Sequence, residues 1–100
     1  MVTNKQIALV FREAKKDLHI GANASLHKSK YICLAIDGRV NLPIEHRKAA
    51  LAIIKERLED KYTLAEWLAS KGVSYEDMTD ARLHAHRHKW LNSLIKEFSK

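Results

Sequence analysis

Apolar residues recur along this chain at the three- and four-residue spacing of an amphipathic α-helix. The spacing predicts helices at Asn4–Leu18, at Pro43–Lys61, at about Leu64–Lys71, and from Tyr75 or Asp80 to Phe98. A further segment, Ser29–Asp37, has a continuous apolar run that suits a buried helix or a buried strand equally well. We choose a helix, because the chain has no second strand with which this segment would pair. The sequence therefore predicts an all-α fold, a compact bundle of about five helices in one domain over residues 1–100.

Residues that start and stop helices stand at the ends of these segments. Thr3 or Asn4 is expected to cap the first helix, and Thr63-Leu64-Ala65-Glu66 is a capping box that opens the short one. Gly38 is expected to supply a left-handed stop, and Gly72 to end the helix that the box opens. The predicted core faces are Ile7, Val10, Phe11, Ala14 and Leu18; Ile44, Leu51, Ile54, Leu58 and Tyr62; Leu64, Trp67 and Leu68; and Leu83, Trp90, Leu91, Leu94, Ile95 and Phe98.

The composition is that of a soluble globular protein, with 46% apolar and 30% charged residues. The longest apolar run, Tyr31–Ile36, is far shorter than a membrane span. Charged residues follow the apolar stretch Ile7–Phe11 at once, which is unlike a secretory signal. The single cysteine, Cys33, excludes an internal disulfide. We therefore expect a cytoplasmic protein.

Lysine and arginine outnumber aspartate and glutamate by 18 to 12, which gives a formal charge of +6. Residues 1–50 carry nine basic and four acidic side chains, and residues 51–100 carry nine and eight. Such an excess indicates either a solvated basic face or an anionic partner, which would be nucleic acid or an acidic protein surface. On the last predicted helix, Arg82, His86 and Lys89 form one polar stripe. A solvated face is its ordinary explanation, and a stripe that follows phosphates is the alternative.

Arg87 falls near the centre of the apolar arc of the last predicted helix. In one interpretation its stem packs in the core and its guanidinium pairs with an acidic residue such as Asp37, Glu59 or Glu66. In the other, this face is partly open, and Arg87 anchors a protein partner together with Trp90.

Candidate catalytic and metal-binding residues are few. His84 and His88 share a helix face while His86 points elsewhere, so at most two ligands chelate locally, whereas a structural zinc site normally has four. Cys33 lies in an apolar run without an adjacent base, which indicates a buried thiol. The chain shows no phosphate-binding glycine loop, nucleophile elbow or paired-carboxylate signature. We expect no metal, no cofactor and no enzymatic activity.

The stretch from Thr63 to Ser74, TLAEWLASKGVS, resembles the first half of a helix-turn-helix motif, with Gly72 in the turn. The resemblance implies a DNA-reading helix that begins near Tyr75. Two features depart from the motif. Leu68 is large where a small residue is usual, and the reading helix would begin with acidic residues that face phosphates badly. Nucleic-acid binding is therefore the alternative function.

The whole chain resembles small, uncharacterised bacteriophage proteins. The resemblance is carried by NKQIA at 4–8, KYICLA at 30–35, TLAEWL at 63–68, RHKWL at 87–91 and LIKEF at 94–98. It implies a phage or prophage origin, expression in the bacterial cytoplasm, and action by binding a host enzyme or defence complex.

These observations predict a small non-enzymatic accessory protein that binds a host macromolecule. A host protein is the first expectation, nucleic acid is the alternative, and self-association through the last helix is a third reading. Tryptophan and arginine are favoured at binding hot spots, although both tryptophans would also suit a core. The predicted partner-binding residues are Arg87, Trp90, Trp67, Arg82, His86 and Lys89.

Overall fold

A computed structural model describes residues 1–16, 36–38, 40–59, 64–74 and 79–100. These ranges contain α1 (Asn4–Lys16), α2 (Ile44–Arg57), α3 (Leu64–Ser70) and α4 (Asp80–Phe98), and residues 36–38 are also helical. None of the described residues belongs to a β-strand, so the predicted all-α fold is confirmed. The Cα radius of gyration is 13.0 Å, close to the value expected for a compact domain of this length.

Helix α1 lies at the centre of the structure and packs against α4 and α2. Its predicted apolar face is confirmed, because Ile7, Val10, Phe11 and Ala14 are all buried. The Phe11 ring meets the Phe98 ring of α4 with a centroid distance of 6.0 Å and a tilt of 57°. Tilted aromatic pairs of this kind stabilise beyond the area they bury. This contact ties the middle of α1 to the end of α4.

Thr3, one of the two predicted caps, closes the N-terminus of α1. The Gln6 N–H donates to Thr3 Oγ1 at 3.2 Å, and the Thr3 N–H donates to Gln6 Oε1 at 2.8 Å. Each side chain thus satisfies a backbone donor that has no partner within the helix, as in a capping box. The sequence indicated Thr3 without indicating that Gln6 completes the pair.

Helix α2 is shorter than predicted at both ends. Pro43 precedes the helix as its N-cap, with φ −52° and ψ 141°, instead of lying in its first turn. The helix ends at Arg57, and Glu59 has a φ of 54°. A residue with left-handed backbone does not continue a right-handed α-helix, so the helix ends before Glu59.

The predicted apolar face of α2 is correct at Ile54 and Leu58 and wrong at Ile44. Ile44 is 57% exposed, while Ala50 and Ile54 have almost no exposed surface. At about 100° per residue, Ile44 lies about 80° around the helix from Ile54, in the first turn. Ala50 lies much closer to the direction of Ile54 and occupies the core position.

Arg47 of α2 holds the segment before it in place. Its Nε donates to the Leu42 carbonyl at 2.9 Å, and its Nη1 donates to the Asp37 carbonyl at 2.6 Å. Ile36, next to Asp37, and Val40, between the two acceptors in the chain, are buried in the core. Arg47 therefore fixes the backbone of the segment that precedes α2.

Gly72 ends the α3 segment, as predicted, and does so through a complete Schellman motif. The Val73 N–H donates to the Leu68 carbonyl at 3.0 Å, and the Gly72 N–H donates to the Ala69 carbonyl at 3.1 Å. Gly72 has a φ of 93°, the left-handed conformation that this motif requires. Leu68 belongs to the core and Val73 packs against it.

Gly38, for which a left-handed stop was also predicted, has helical backbone and no positive φ. That prediction is wrong. A glycine after an apolar run is compatible with helix as well as with a stop, and in this case the helical backbone includes the glycine.

We expect the two glycines to respond oppositely to alanine. A Cβ at either position meets no atom within 4 Å, so backbone conformation alone decides the effect. Gly72→Ala should lower the free energy of unfolding by about 1–2 kcal/mol, the cost of left-handed backbone for an L-residue. Gly38→Ala should leave it unchanged or raise it by up to about 1 kcal/mol. Urea unfolding followed by circular dichroism measures both. Equal effects would contradict the assigned conformations.

Helix α4 begins at Asp80, the later of the two predicted starts. The Arg82 N–H donates to Oγ1 of the N-cap Thr79 at 3.2 Å. Glu97, whose charge is unfavourable near a helix C-terminus, forms a two-point ion pair with Arg57 of α2. The hydrogen bonds from Arg57 lower the pKa of Glu97. This pair joins the C-terminal ends of α2 and α4.

Several predictions lie outside the described residues. They are the core positions Leu18 and Tyr62, the start of the helix predicted from Ser29, the surroundings of Cys33, the Thr63 cap, and the alternative helix start at Tyr75.

Candidate functional site

Helix α4 buries one arc of its surface, and a less buried flank of the helix lies on each side of this arc. Leu83, Leu91 and Leu94 of that arc are buried, and so is Arg87 near its centre. At about 100° per residue, the remaining positions fall on opposite sides of the arc. One flank carries His86, Lys89, Trp90 and Ser93 beside α3, and the other carries His84, His88, Asn92 and Ile95 beside α1.

A groove of about 380 Å³ lies between the first flank of α4 and the C-terminal end of α3. We call it the tryptophan groove. It contains four of the six predicted partner-binding residues, Trp67, Trp90, His86 and Lys89. The described residues that line it are Trp67, Leu68, Lys71, His86, Lys89, Trp90 and Ser93.

The indole of Trp67 is half-buried, and Lys71 lies over one of its faces. Its Nε1 is buried and meets no hydrogen-bond acceptor in the described ranges. Lys71 Nζ lies over the ring, 5.6 Å from its centroid, and also pairs with Glu59 Oε1 at 3.0 Å. A cation over an indole face is attracted by the ring quadrupole. Lys71 therefore covers one face of Trp67 while its own charge stays at the surface.

The α4 side of the groove is built from one flank of a regular helix. Trp90 and His86 are half-buried, and Lys89 is exposed. The Ser93 hydroxyl donates back to the Trp90 carbonyl at 2.6 Å. Aromatic surface and positive charge thus lie together on a rigid element, which limits the entropy that a partner's binding would cost.

Arg87 does not contribute to this surface. It is 3% exposed, and it has an interaction within the protein. This corrects its predicted role as an accessible anchor and favours the interpretation in which its charge is accommodated internally. Glu59, one of the acids considered as its partner, pairs with Lys71 instead.

Arg82 lies on the same side of α4 as His86, one turn earlier. Its side chain is exposed, and it does not line the groove. The predicted stripe of Arg82, His86 and Lys89 therefore separates into two groove residues and one outlying cation.

The histidines divide between the two flanks, as their spacing predicts. The rings of His84 and His88 touch edge to face, with centroids 4.4 Å apart, whereas His86 lines the tryptophan groove. Among the described residues, no cluster of three or more histidine, cysteine, aspartate or glutamate side chains is placed to hold a metal ion.

Leu68, Lys71 and Ser93 line the groove without having been predicted as partner-binding residues, and Lys71 is the charged one of the three. It follows Trp67 by four positions, and side chains at this spacing on a helix are neighbours. That signal was present in the sequence. The approach of α3 to α4, which turns the pair into one wall of a groove, depends on tertiary packing.

Comparisons of the chain with protein-family models, with curated proteins and with solved structures find no match. In the described ranges, no helix has the length and apolar character that a bilayer span requires. The tryptophan groove is therefore the feature from which a function is inferred.

Proposed function

We propose that this chain is a non-enzymatic binding protein whose tryptophan groove docks an acidic segment of a partner protein. One observation carries the proposal. The groove brings two half-buried tryptophans together with the basic side chains Lys71, His86 and Lys89. Half-buried tryptophans supply the contact area typical of binding hot spots. Lys71 and Lys89 supply positive charge that is complementary to carboxylates.

The position of Lys71 favours a protein segment over a stacked nucleobase. A protein that binds single-stranded nucleic acid offers free aromatic faces to the bases. Here Lys71 Nζ lies over the Trp67 ring, so a base on that face would displace it and disturb its ion pair with Glu59. A partner carboxylate could approach Lys71 without displacing it, because the lysine side chain remains about half exposed.

The resemblance to small bacteriophage proteins supports a host protein as the partner. Many such proteins act on a host enzyme or defence complex, and a preformed groove suits this mode of action. An accessory protein of this kind would work in the bacterial cytoplasm.

Reversal of one groove charge is expected to abolish partner capture. Lys89 lines the groove, and Lys96 is an exposed lysine on the same helix outside it, which makes Lys96→Glu a matched control. With immobilised protein and bacterial lysate, we expect Lys89→Glu to recover at least about tenfold less of a specific protein than wild type, equivalent to about 1.4 kcal/mol. Lys96→Glu should recover the wild-type amount.

Nuclease treatment of the lysate separates the proposed function from its alternative. Capture that survives nuclease and depends on Lys89 supports a protein partner. Equal capture by both variants, or capture lost on nuclease treatment, would contradict it.

Nucleic-acid binding is the second candidate. The observation that favours it is the exposure of both Arg82 and Lys89 on one side of α4. Phosphate contacts by these residues would make retardation of DNA in a gel strongly salt-dependent, and loss of one contact would reduce the salt slope by about one. Absence of retardation at low salt would remove this candidate.

A further inference from the structure

A second groove, of about 390 Å³, lies on the opposite flank of α4, against α1. We call it the basic groove. It is lined by Arg12, Lys15, Lys16, His88, Asn92 and Ile95. Three of these six residues are permanently charged cations from the C-terminal half of α1, and none is acidic. The volume is within the range of sites that bind small ligands.

The three cations of the basic groove differ in the partners that they have within the protein. Lys16 Nζ pairs with Glu13 Oε1 at 2.9 Å, and Arg12 Nη2 donates to Ser99 Oγ at 3.0 Å. Lys15 is half-buried and has no carboxylate partner among the described residues. An anion that enters the groove would therefore meet a positive charge that no carboxylate of the described residues neutralises.

On the α4 side of the groove, the nearby positive charge affects the pKa of His88. Burial lowers its pKa, and His84 of the same helix and Lys15 of α1 lower the pKa further. Among the described residues, Arg12 and Lys16 line the same groove as His88, and the acid Glu13 pairs with Lys16. A bound anion would favour the protonated imidazole and would turn His88 into a donor.

We infer that the basic groove binds a phosphate-bearing ligand of about mononucleotide size. Its phosphate oxygens accept hydrogen bonds from Arg12 and Lys15, and its less polar body packs on Ile95. Arginine and lysine are the usual partners of phosphate, and arginine adds a forked donor geometry. The Ser99 contact leaves the other N–H groups of the Arg12 guanidinium for the ligand. This site is separate from the tryptophan groove, since the described residues that line the two grooves are all different.

Titration of the ¹⁵N-labelled chain with adenosine monophosphate at low salt tests the inference. We expect saturable amide shifts confined to residues 12–16 and 88–95. Adenosine, which lacks the phosphate, should produce none. Lys15→Glu should weaken binding at least about tenfold. Lys5→Glu, the same change at an exposed position of α1 outside the groove, should leave binding unchanged.

Four outcomes would overturn the assignment. They are equal binding of adenosine, equal weakening by the two variants, shifts centred on Trp67 and Trp90, and a short single-stranded oligonucleotide that binds at least about tenfold more tightly than the mononucleotide. The last result would indicate that the groove binds the phosphates of a nucleic-acid backbone.

The pH dependence of sulfate binding gives a second readout. Sulfate does not titrate near neutrality, so a change in affinity comes from the protein. We expect tighter binding as the pH falls from about 8 to about 5, because protonation of His88 adds a positive charge. His88→Asn should remove most of this change. An unchanged pH dependence in that variant would contradict the place of His88 in the site.

Discussion

Replacing Phe11 by alanine is expected to lower the free energy of unfolding by about 3–5 kcal/mol. Phe11 has no exposed surface, lies on the central helix and contacts the Phe98 ring. Removing its ring leaves a cavity where α1 meets α4, and the neighbouring residues can fill it only in part. A domain of this size is commonly stable by about 5–15 kcal/mol, so the variant should be close to unfolded. Guanidinium unfolding followed by circular dichroism measures the effect.

Leu9→Ala provides the matched control on the same helix. Leu9 is 42% exposed, and its truncation should change the unfolding free energy by no more than about 0.5 kcal/mol. Similar losses in both variants would show that α1 does not bury the face described here.

Replacing Arg87 by glutamate is expected to lower the unfolding free energy by at least about 3 kcal/mol. The residue is 3% exposed and lies between the buried leucines of α4. The substitution reverses the charge and shortens the side chain, so the fold must bury a carboxylate in an environment built around a guanidinium. Thermal and denaturant unfolding both report this loss.

Arg82→Glu makes the same charge reversal at an exposed position of the same helix. Position 82 is the third residue after the Thr79 cap, so glutamate there creates a Thr-x-x-Glu capping box. An acidic group also suits the helix N-terminus, and stability should be unchanged or raised by about 0.3–1 kcal/mol. If the Arg87→Glu variant were as stable as the wild type, Arg87 would have to lie at the protein surface. It would then again be a candidate for partner binding.

Structural features that depend on residues a few positions apart in the chain could be predicted from the sequence. The apolar face of α1, the Thr3 cap and the stop at Gly72 all follow from local spacing and side-chain chemistry, and all three are confirmed. For Gly72 the reason is steric, because left-handed backbone excludes most other residues.

Features decided by distant contacts could not be predicted. Ile44 satisfies the helical spacing and is still exposed, because which turns of α2 are covered depends on what packs against them. Glu97 looks unfavourable at the end of α4 until Arg57, 40 positions earlier in the chain, approaches it. Gly38 fits a helical residue as well as a stop, and its surroundings decide between them.

The candidate site divides in the same way. The spacing of α4 places His86, Lys89 and Trp90 on one flank, and the structure brings Trp67 of α3 to them. The sequence left two interpretations of Arg87 open, and only the burial of its side chain in the structure decides between them. The basic groove could not be assembled from the sequence, because its cations and His88 are more than 70 positions apart in the chain.

The central claim is that a protein partner occupies the tryptophan groove. Both tryptophans of the chain line this groove, so 5-fluorotryptophan labelling places every ¹⁹F probe in it. When the partner captured by the wild-type chain is added, we predict that both ¹⁹F resonances shift and that Lys89→Glu removes the shifts. Partner binding that leaves both resonances in place would contradict the account.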